Sequence, residues 1–465
     1  MTDLFVRLRS LNPTAASFAL GTATLGHALQ ISNGTFNPDA LWWVGLSFAF
    51  CLFGALTHRF AGSLSTEGVR LATVLLTLGI LWNVKQLVTA RPGFNIIDDV
   101  SLLPFYAGCV AIAALTLLGV SGAAFSRRWW FPAVLAVGCL LGVWMFRASP
   151  NPHIDVVVVH NEALDAFLKG RDPYRISFPN IYGDDWVHFY NPAVVFGNRI
   201  GFGYPYPPPS LILAIPGYLL FGDYRYSELA FLIGALALIG YSRRHIAAKL
   251  AAVTLLTTPR GFFVLEQGWT EPIALFLVAL TTFLMMDGPV RASWAAGLML
   301  ATKQYLPFTG LAVLRSLLLD RRSWKKALFW IVLTGAICIL PFAFWHPNSF
   351  MRSVVWLQTL EPFRTDSLSF LIWADRNGYG RGSFLWAIGA AIIAAVMTLF
   401  TTRNTASGFA TSAALTMFAM FGLGSKAFCN YYYFVIGAMC IALAAFPGPG
   451  EDEFISRVPA RRARK

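Results

Sequence analysis

Apolar runs of near bilayer-crossing length follow one another along almost the whole of this 465-residue chain. A helix that crosses the hydrocarbon core needs roughly 20 consecutive apolar residues. In lipid, backbone polar groups are satisfied only inside helices or in a closed barrel. The runs here are of helix length and lack the ten-residue alternation of barrel strands, which leaves a bundle of helices. Composition agrees, with 56% hydrophobic and only 13% charged residues. The expected fold is therefore an all-α polytopic membrane protein.

Spans are expected near 14–31, 41–57, 69–88, 102–120, 130–147, 225–242, 246–259, 271–286, 292–303, 305–319, 326–344, 383–401, 407–424 and 430–447, about fourteen in all. The stretch PPPSLILAIPGYLLFG at 207–222 is apolar but proline-bounded and broken by Pro216. It reads as an interfacial or re-entrant helix on the outer face. The two short runs that meet around Lys303 and Pro307 read as a hairpin, its tip covered by protein. No cleavable leader is expected: the start, MTDLFVRLRS, is a short basic lead into a retained span.

The net charge of +13 raises the question of nucleic acid, and its distribution answers it. Basic doublets punctuate short loops: Arg127-Arg128, Arg243-Arg244, Arg321-Arg322 and Lys325-Lys326, with Arg461-Arg462 in the tail. Short-loop Lys and Arg mark the cytoplasmic side. The excess is thus a topology signal, with affinity for anionic membrane lipids, and no nucleic-acid partner is expected. The same rule puts both termini in the cytoplasm and two long loops, 148–224 and 345–382, on the exterior face.

Cys51, Cys109, Cys139, Cys338 and Cys440 lie within apolar runs and Cys429 at a helix end, with no CxxC. They read as small buried hydrophobes, with neither a disulfide framework nor a metal site. Seven histidines lack metal spacing, and no Walker loop, GxGxxG, HExxH or nucleophile elbow occurs. No cofactor and no metal are expected.

Chemistry concentrates in Asn151–Pro209, the longest polar interruption, which holds Asp155, Glu162, Asp165, Asp172, Asp184 and Asp185. Loops of this length are usually functional or disordered, and the amphipathic spacing after Asp155 argues for order. Continued as a helix, Asp155, Val159, Glu162 and Lys169 share one face. A carboxylate just outside the lipid under an aromatic loop is suited to general-base work; an ordinary interfacial ion pair is the bland reading. Gly170-Arg171-Asp172-Pro173-Tyr174 is a turn, and Tyr204-Pro205-Tyr206-Pro207-Pro208-Pro209 a rigid extended segment. Both read first as scaffolding, with Tyr174 and Tyr206 as candidate substrate contacts beside Glu162. Lys303 lies far from any basic loop, and a cation at membrane depth marks a site unless it snorkels to head groups. A lipid-linked phosphate is its expected partner; Arg364 and Lys426 are weaker candidates of the same kind. Glu266 and Glu271 share an outer helix end, where Glu271 can position a substrate hydroxyl. Arg225 and Arg260 are expected to meet head groups.

The exterior Asp155 just after a span, the run Gly170-Arg171-Asp172-Pro173-Tyr174 and Tyr206-Pro207-Pro208-Pro209 before an interfacial helix together resemble the GT-C superfamily. Within it the chain is most similar to glycosyltransferase family 87 and related bacterial mannosyltransferase-like proteins. The likeness covers 125–447. It implies a GT-C-like bundle with amphipathic helices in a large first exterior loop, and Asp155 as general base. A lysine after a short helix and an aromatic-rich stretch near the C-terminus are also similar to the family, here Lys303 and Lys426–Tyr433. The implied partners are a polyprenyl-phosphate sugar donor, mannose foremost, and a lipid or glycan acceptor. Family members place the acid after their first span, whereas here five spans precede it. Residues 1–124 are then a four-span N-terminal extension, and 448–465 a cytoplasmic tail. Asp165 and the Asp184-Asp185 pair are reserve acids. A transporter or flippase of a lipid-linked solute is the alternative, predicting polar groups along a mid-membrane path.

Overall fold

Two Asn-Pro steps start the chain's first helices in the same way. Asn12 and Asn37 accept the Ala15 and Ala40 N–H groups at 3.1 and 3.0 Å, and the prolines that follow supply the preset φ of a first helical turn. The helices are α1 (Pro13–Ser32) and α2 (Pro38–Thr57). They belong to a computed structural model that describes residues 11–122, 126–318 and 323–451. Arg321, Arg322, Arg461 and Arg462, used above for topology, lie outside the described residues, as do the basic lead with Arg7 and Arg9 and nearly all of the tail.

The N-terminal part continues with α3 (Thr66–Val88), capped by the Ser65 hydroxyl, and α4 (Leu103–Ser121). After α5 (Ser126–Ala148) comes the first long loop. It holds α6 (Asp155–Leu168) and α7 (Pro208–Phe221). Between the two long loops lie α8 (Arg225–Tyr241), α9 (Ile246–Leu256), α10 (Gly261–Glu266), α11 (Glu271–Asp287), α12 (Pro289–Leu300), α13 (Gly310–Leu318) and α14 (Trp324–Trp345). The second long loop carries α15 (Pro347–Met351), a π turn at Arg352–Trp356, α16 (Leu357–Leu360) and α17 (Phe370–Arg376). Last come α18 (Leu385–Thr401), α19 (Ala406–Gly422) and α20 (Cys429–Ala444).

The fold is all-α. Among the described residues five helices are long and apolar enough to cross a membrane: α2, α3, α4, α5 and α14. α1 has 20 residues but is less apolar; the others are shorter, several because glycine or proline stops them, as Gly222 does in a left-handed conformation after α7. Departing from the helical expectation, the first long loop contains a small antiparallel sheet of two-residue strands. β1 (Phe178–Pro179), β2 (Val195–Phe196) and β3 (Arg199–Ile200) are ordered β1-β3-β2. No alternation of useful length marks strands this short.

Two hydrophobic cores form. The larger is built around α9, α11, α19 and α20, whose buried faces carry Leu250, Val278, Phe418 and Phe434. α1 packs on α2, α3 and α20, so the N-terminal helices close on the end of the chain. The smaller core lies under the first long loop. Val159 and Leu164 of α6 meet Phe178, Phe202 and Leu211 there, together with Phe342 of α14 and Phe350 of α15. It fixes α6, and with it Asp155, against both long loops.

Candidate active site

Asp155 opens α6. The chain leaves α5, bends at Asn151 and His153, and passes through an extended Ile154 into a helix whose first residue is the acid. A carboxylate in a first turn is favoured by the helix dipole. Asp155 is half-buried, and among the described residues no cation comes within ion-pair distance of it. Its partners are tyrosines. The Tyr190 hydroxyl donates to Oδ2 at 2.8 Å, and the Asp155 N–H donates to the Tyr182 oxygen at 3.2 Å. Burial first, and then the negative charge of Asp155, push both phenols well above the usual tyrosine range. Both stay protonated, so Tyr190 remains a donor.

The rest of the site comes from distant elements. Phe189 stacks on Tyr182 at 4.1 Å between centroids. The Arg364 guanidinium lies between the Phe189 and Phe428 rings, 4.9 and 4.6 Å from their centroids, and is held by Asp366 through two bonds of 2.9 and 2.7 Å. Its positive charge is felt at Tyr182, and the negative charge of Asp155 at Tyr206. Lys303 sits with its ammonium 4.7 Å from the Tyr206 ring centroid and 3.1 Å from Glu271 Oε1. Tyr305 adds a longer bond to the same oxygen, at 3.4 Å. Gln304 donates to the Pro205 carbonyl at 2.6 Å, tying the YPYPPP segment to the hairpin. Asp155, Tyr206, Lys303, Glu271 and Arg364 are thus gathered from five separate stretches of chain. Lys426 stands farther out in direct contact with the Glu361 carboxylate.

Two expected substrate contacts are not brought to this cluster. Glu162 is exposed on α6, because the face it shares with Asp155 is split: Val159 turns into the small core while Glu162 and Lys169 face outward. Tyr174 is fully buried, its hydroxyl spent on the Tyr206 carbonyl at 3.0 Å and its ring packed against Phe350. Asp165, a reserve acid, pairs with Lys169 at 2.5 Å. Asp184 and Asp185 are exposed on a 3₁₀ turn.

Other expectations are also corrected. Lys303 finds its anion within the protein, in Glu271. Glu266 accepts the Phe94 and Asn95 N–H groups, both at 2.8 Å, and so anchors the α3–α4 loop. Arg225 is 1% exposed and does not reach head groups. It binds Asp223 at 2.7 Å and the carbonyls of Ser149 and Glu266 at 2.9 and 3.1 Å, pinning α8 to the end of α5. Arg260 is also buried.

Sequence reasoning passed over three groups that the structure places at or behind the site. Tyr182 and Tyr190 carry no mark beyond local aromatic density. Glu228, in the first turn of α8, is fully buried within reach of the Lys303 and Glu271 charges. Neither of its oxygens makes a hydrogen bond of ordinary geometry among the described residues. A lone acid in the apolar run SELAFLIGAL was its legible sign.

Compared with family models, curated proteins and solved structures, the chain matches none.

Proposed function

We propose that this protein is a multi-pass membrane glycosyltransferase. It moves a sugar, mannose foremost, from a polyprenyl-phosphate donor to a lipid or glycan acceptor on the non-cytoplasmic face. The membrane reading rests on large apolar side chains left bare on the long helices, among them Trp42, Leu103, Leu140, Ile337 and Phe344. Contiguous exposed apolar surface of that extent needs a nonpolar environment. About fourteen spans, both termini inside and an exterior active site follow from the charge pattern.

The observation that carries the reading is an unpaired carboxylate, Asp155, gathered with Arg364 and Lys303 at one end of the bundle. Tyr190 occupies Oδ2, which leaves Oδ1 for an acceptor hydroxyl. Asp155 takes that proton as the acceptor oxygen attacks the anomeric carbon. The bond from that carbon to the phosphate oxygen breaks with its electron pair, and polyprenyl phosphate leaves with inversion. The cations are already oriented by carboxylates, Arg364 by Asp366, Lys303 by Glu271 and Lys426 by Glu361. Two of the five guanidinium N–H groups of Arg364 serve Asp366, so donors remain for the leaving phosphate. A transporter would place its buried charges along the middle of the helices. Here Glu228 and Glu271 lie in first turns, at the same end as Asp155.

In proteoliposomes supplied with polyprenyl-phosphate mannose, and then with other polyprenyl-linked sugars, the wild type is expected to transfer sugar. Asp155→Asn at equal protein level loses about 10²–10⁴ of the rate, as removal of a general base does. Near-wild-type transfer by Asp155→Asn would remove it from that role.

A further inference from the structure

Glu228 lacks the partners that a buried carboxylate requires. It lies in the first turn of α8 and is fully buried, and neither carboxyl oxygen has a hydrogen bond of ordinary geometry among the described residues. A bare carboxylate taken out of water is costly unless it is paired and hydrogen-bonded. The cations around it are already committed. Lys303, whose charge reaches Glu228, is 3.1 Å from Glu271 Oε1. Arg225, on the same helix as Glu228, binds Asp223 at 2.7 Å and the carbonyls of Ser149 and Glu266. Tyr204 and Tyr224 feel the Glu228 charge, yet their hydroxyls serve other groups. The Tyr224 hydroxyl donates to the Gly268 carbonyl at 2.8 Å, and that of Tyr204 is bonded to His160 and Ser210.

A second unmet oxygen belongs to Glu271. Its Oε1 serves Lys303 and, at 3.4 Å, Tyr305, while its Oε2 is buried with no hydrogen-bond partner among the described residues. α8 and α11 pack together, each carries its acid in the first turn, and the Glu271 charge reaches Glu228. Two carboxylates and one lysine leave this buried group with one negative charge in excess. Carboxylates that share a site do not both ionise. One proton restores neutrality, and a proton needs no cavity. Lys303 decides where it goes, because its contact holds Glu271 in the charged form. A protonated carboxyl donates through its O–H and accepts through its carbonyl oxygen. Glu271 Oε2 is an acceptor lacking a donor, and the Ile273 N–H in the first turn of α11 is directed at Glu228.

We propose that Glu228 is a positioning residue that stays protonated and donates a hydrogen bond to Glu271 Oε2, so that Glu271 holds Lys303 with its other oxygen. Its role in transfer rests on the reading of Lys303 as a contact of the donor phosphate; its proton does not. An ionised Glu228 would compete with that phosphate for the ammonium. The protonated form leaves Lys303 one counter-ion and further N–H donors for the donor's oxygens.

Two measurements on the purified full-length protein separate the proton from the activity. In infrared difference spectra between wild type and Glu228→Gln, the carbonyl band of a protonated carboxyl is expected to be lost in the variant. A carboxylate band lost in its place would show Glu228 ionised and overturn the proposal, whatever the protein transfers. In proteoliposomes with polyprenyl-phosphate mannose, Glu228→Leu is expected to raise the donor KM about tenfold, the loss of one hydrogen bond to a charged group. The acceptor KM is expected to stay unchanged. Glu228→Gln, whose amide donates the same bond without a charge, is expected to restore most of the loss. A donor KM equal in wild type and Glu228→Leu, or no better in the Gln variant than in the Leu variant, would overturn the positioning role. A protonated band together with no transfer from any polyprenyl-linked sugar would establish the proton on Glu228 and sink the glycosyltransferase reading, the donor role with it.

Discussion

His160 shows how far a single buried side chain is committed. It stacks on Tyr224 with centroids 4.4 Å apart, and its Nε2 meets the Tyr204 hydroxyl at 2.7 Å. Burial, helped by the Lys303 charge, pushes its pKa down to about 3. Between the unfolded value near 6.5 and this folded value, the unfolded chain takes up a proton that the folded one refuses. The stability this histidine allows is therefore complete above pH 6.5 and drains away as the pH falls, by about 2 kcal/mol at pH 5. Apparent melting temperatures are expected to drop from pH 7 to pH 5 in the wild type and to drop less in His160→Gln. Parallel slopes would free His160 of that role. At this scale the sequence was readable where a residue broke its local pattern. Asp155 follows a span and Lys303 interrupts an apolar run, and both lie in the gathered cluster. Glu162 shared the helical period of Asp155, yet period fixes an angle and not which neighbour covers it. The small core took Val159 and left Glu162 outside.

Among elements, the hairpin of α12 and α13 depends on one ion pair. Lys303 and Glu271 have side chains 6% and 0% exposed, so each is the other's chief compensation for lost water. Removing one partner of such a pair strands a buried charge and typically costs about 3–5 kcal/mol, whereas replacing both with apolar groups is often neutral. Lys303→Met is expected to destabilise by an amount in that range, and Lys303→Met/Glu271→Leu to recover most of it, read as thermal midpoints in a double-mutant cycle. Additive losses would show that the pair is not coupled. Long helices were visible in the sequence because apolar runs of their length have few other folds in lipid. The β1-β3-β2 sheet was not, since two-residue strands have no period to detect. The aromatic layer of Tyr182, Phe189 and Tyr190 was equally hidden, because its order comes from Arg364, more than 170 residues away.

For the whole molecule, the N-terminal helices are joined to the rest on several levels. Thr35 bridges to Ser367, the Phe36 N–H donates to the Asp366 carbonyl at 2.7 Å, and the Leu64 N–H donates to the Pro447 carbonyl at 2.7 Å. Asp366 is also the residue that holds Arg364. A chain lacking residues 1–122 is expected to be poorly recovered and aggregated on size exclusion, since Glu266 loses two amide partners and α20 a covered face. A monodisperse product with an unchanged melting temperature would show that the extension is dispensable to the fold. The N-terminal helices were readable as four apolar runs, but their docking was not, because contacts between segments hundreds of residues apart leave no local pattern. Gly34, at φ 80°, lies so close to the Cys429 backbone that a methyl group there would sit 2.2 Å from its nitrogen. That contact joins segments 395 residues apart in the chain. During translation α1 and its neighbours α2 and α3 are finished hundreds of residues before α20, so the face of α1 that α20 covers stays open until then. Until residue 429 is made, the turn at Gly34 has no backbone to close against, so this contact cannot form early.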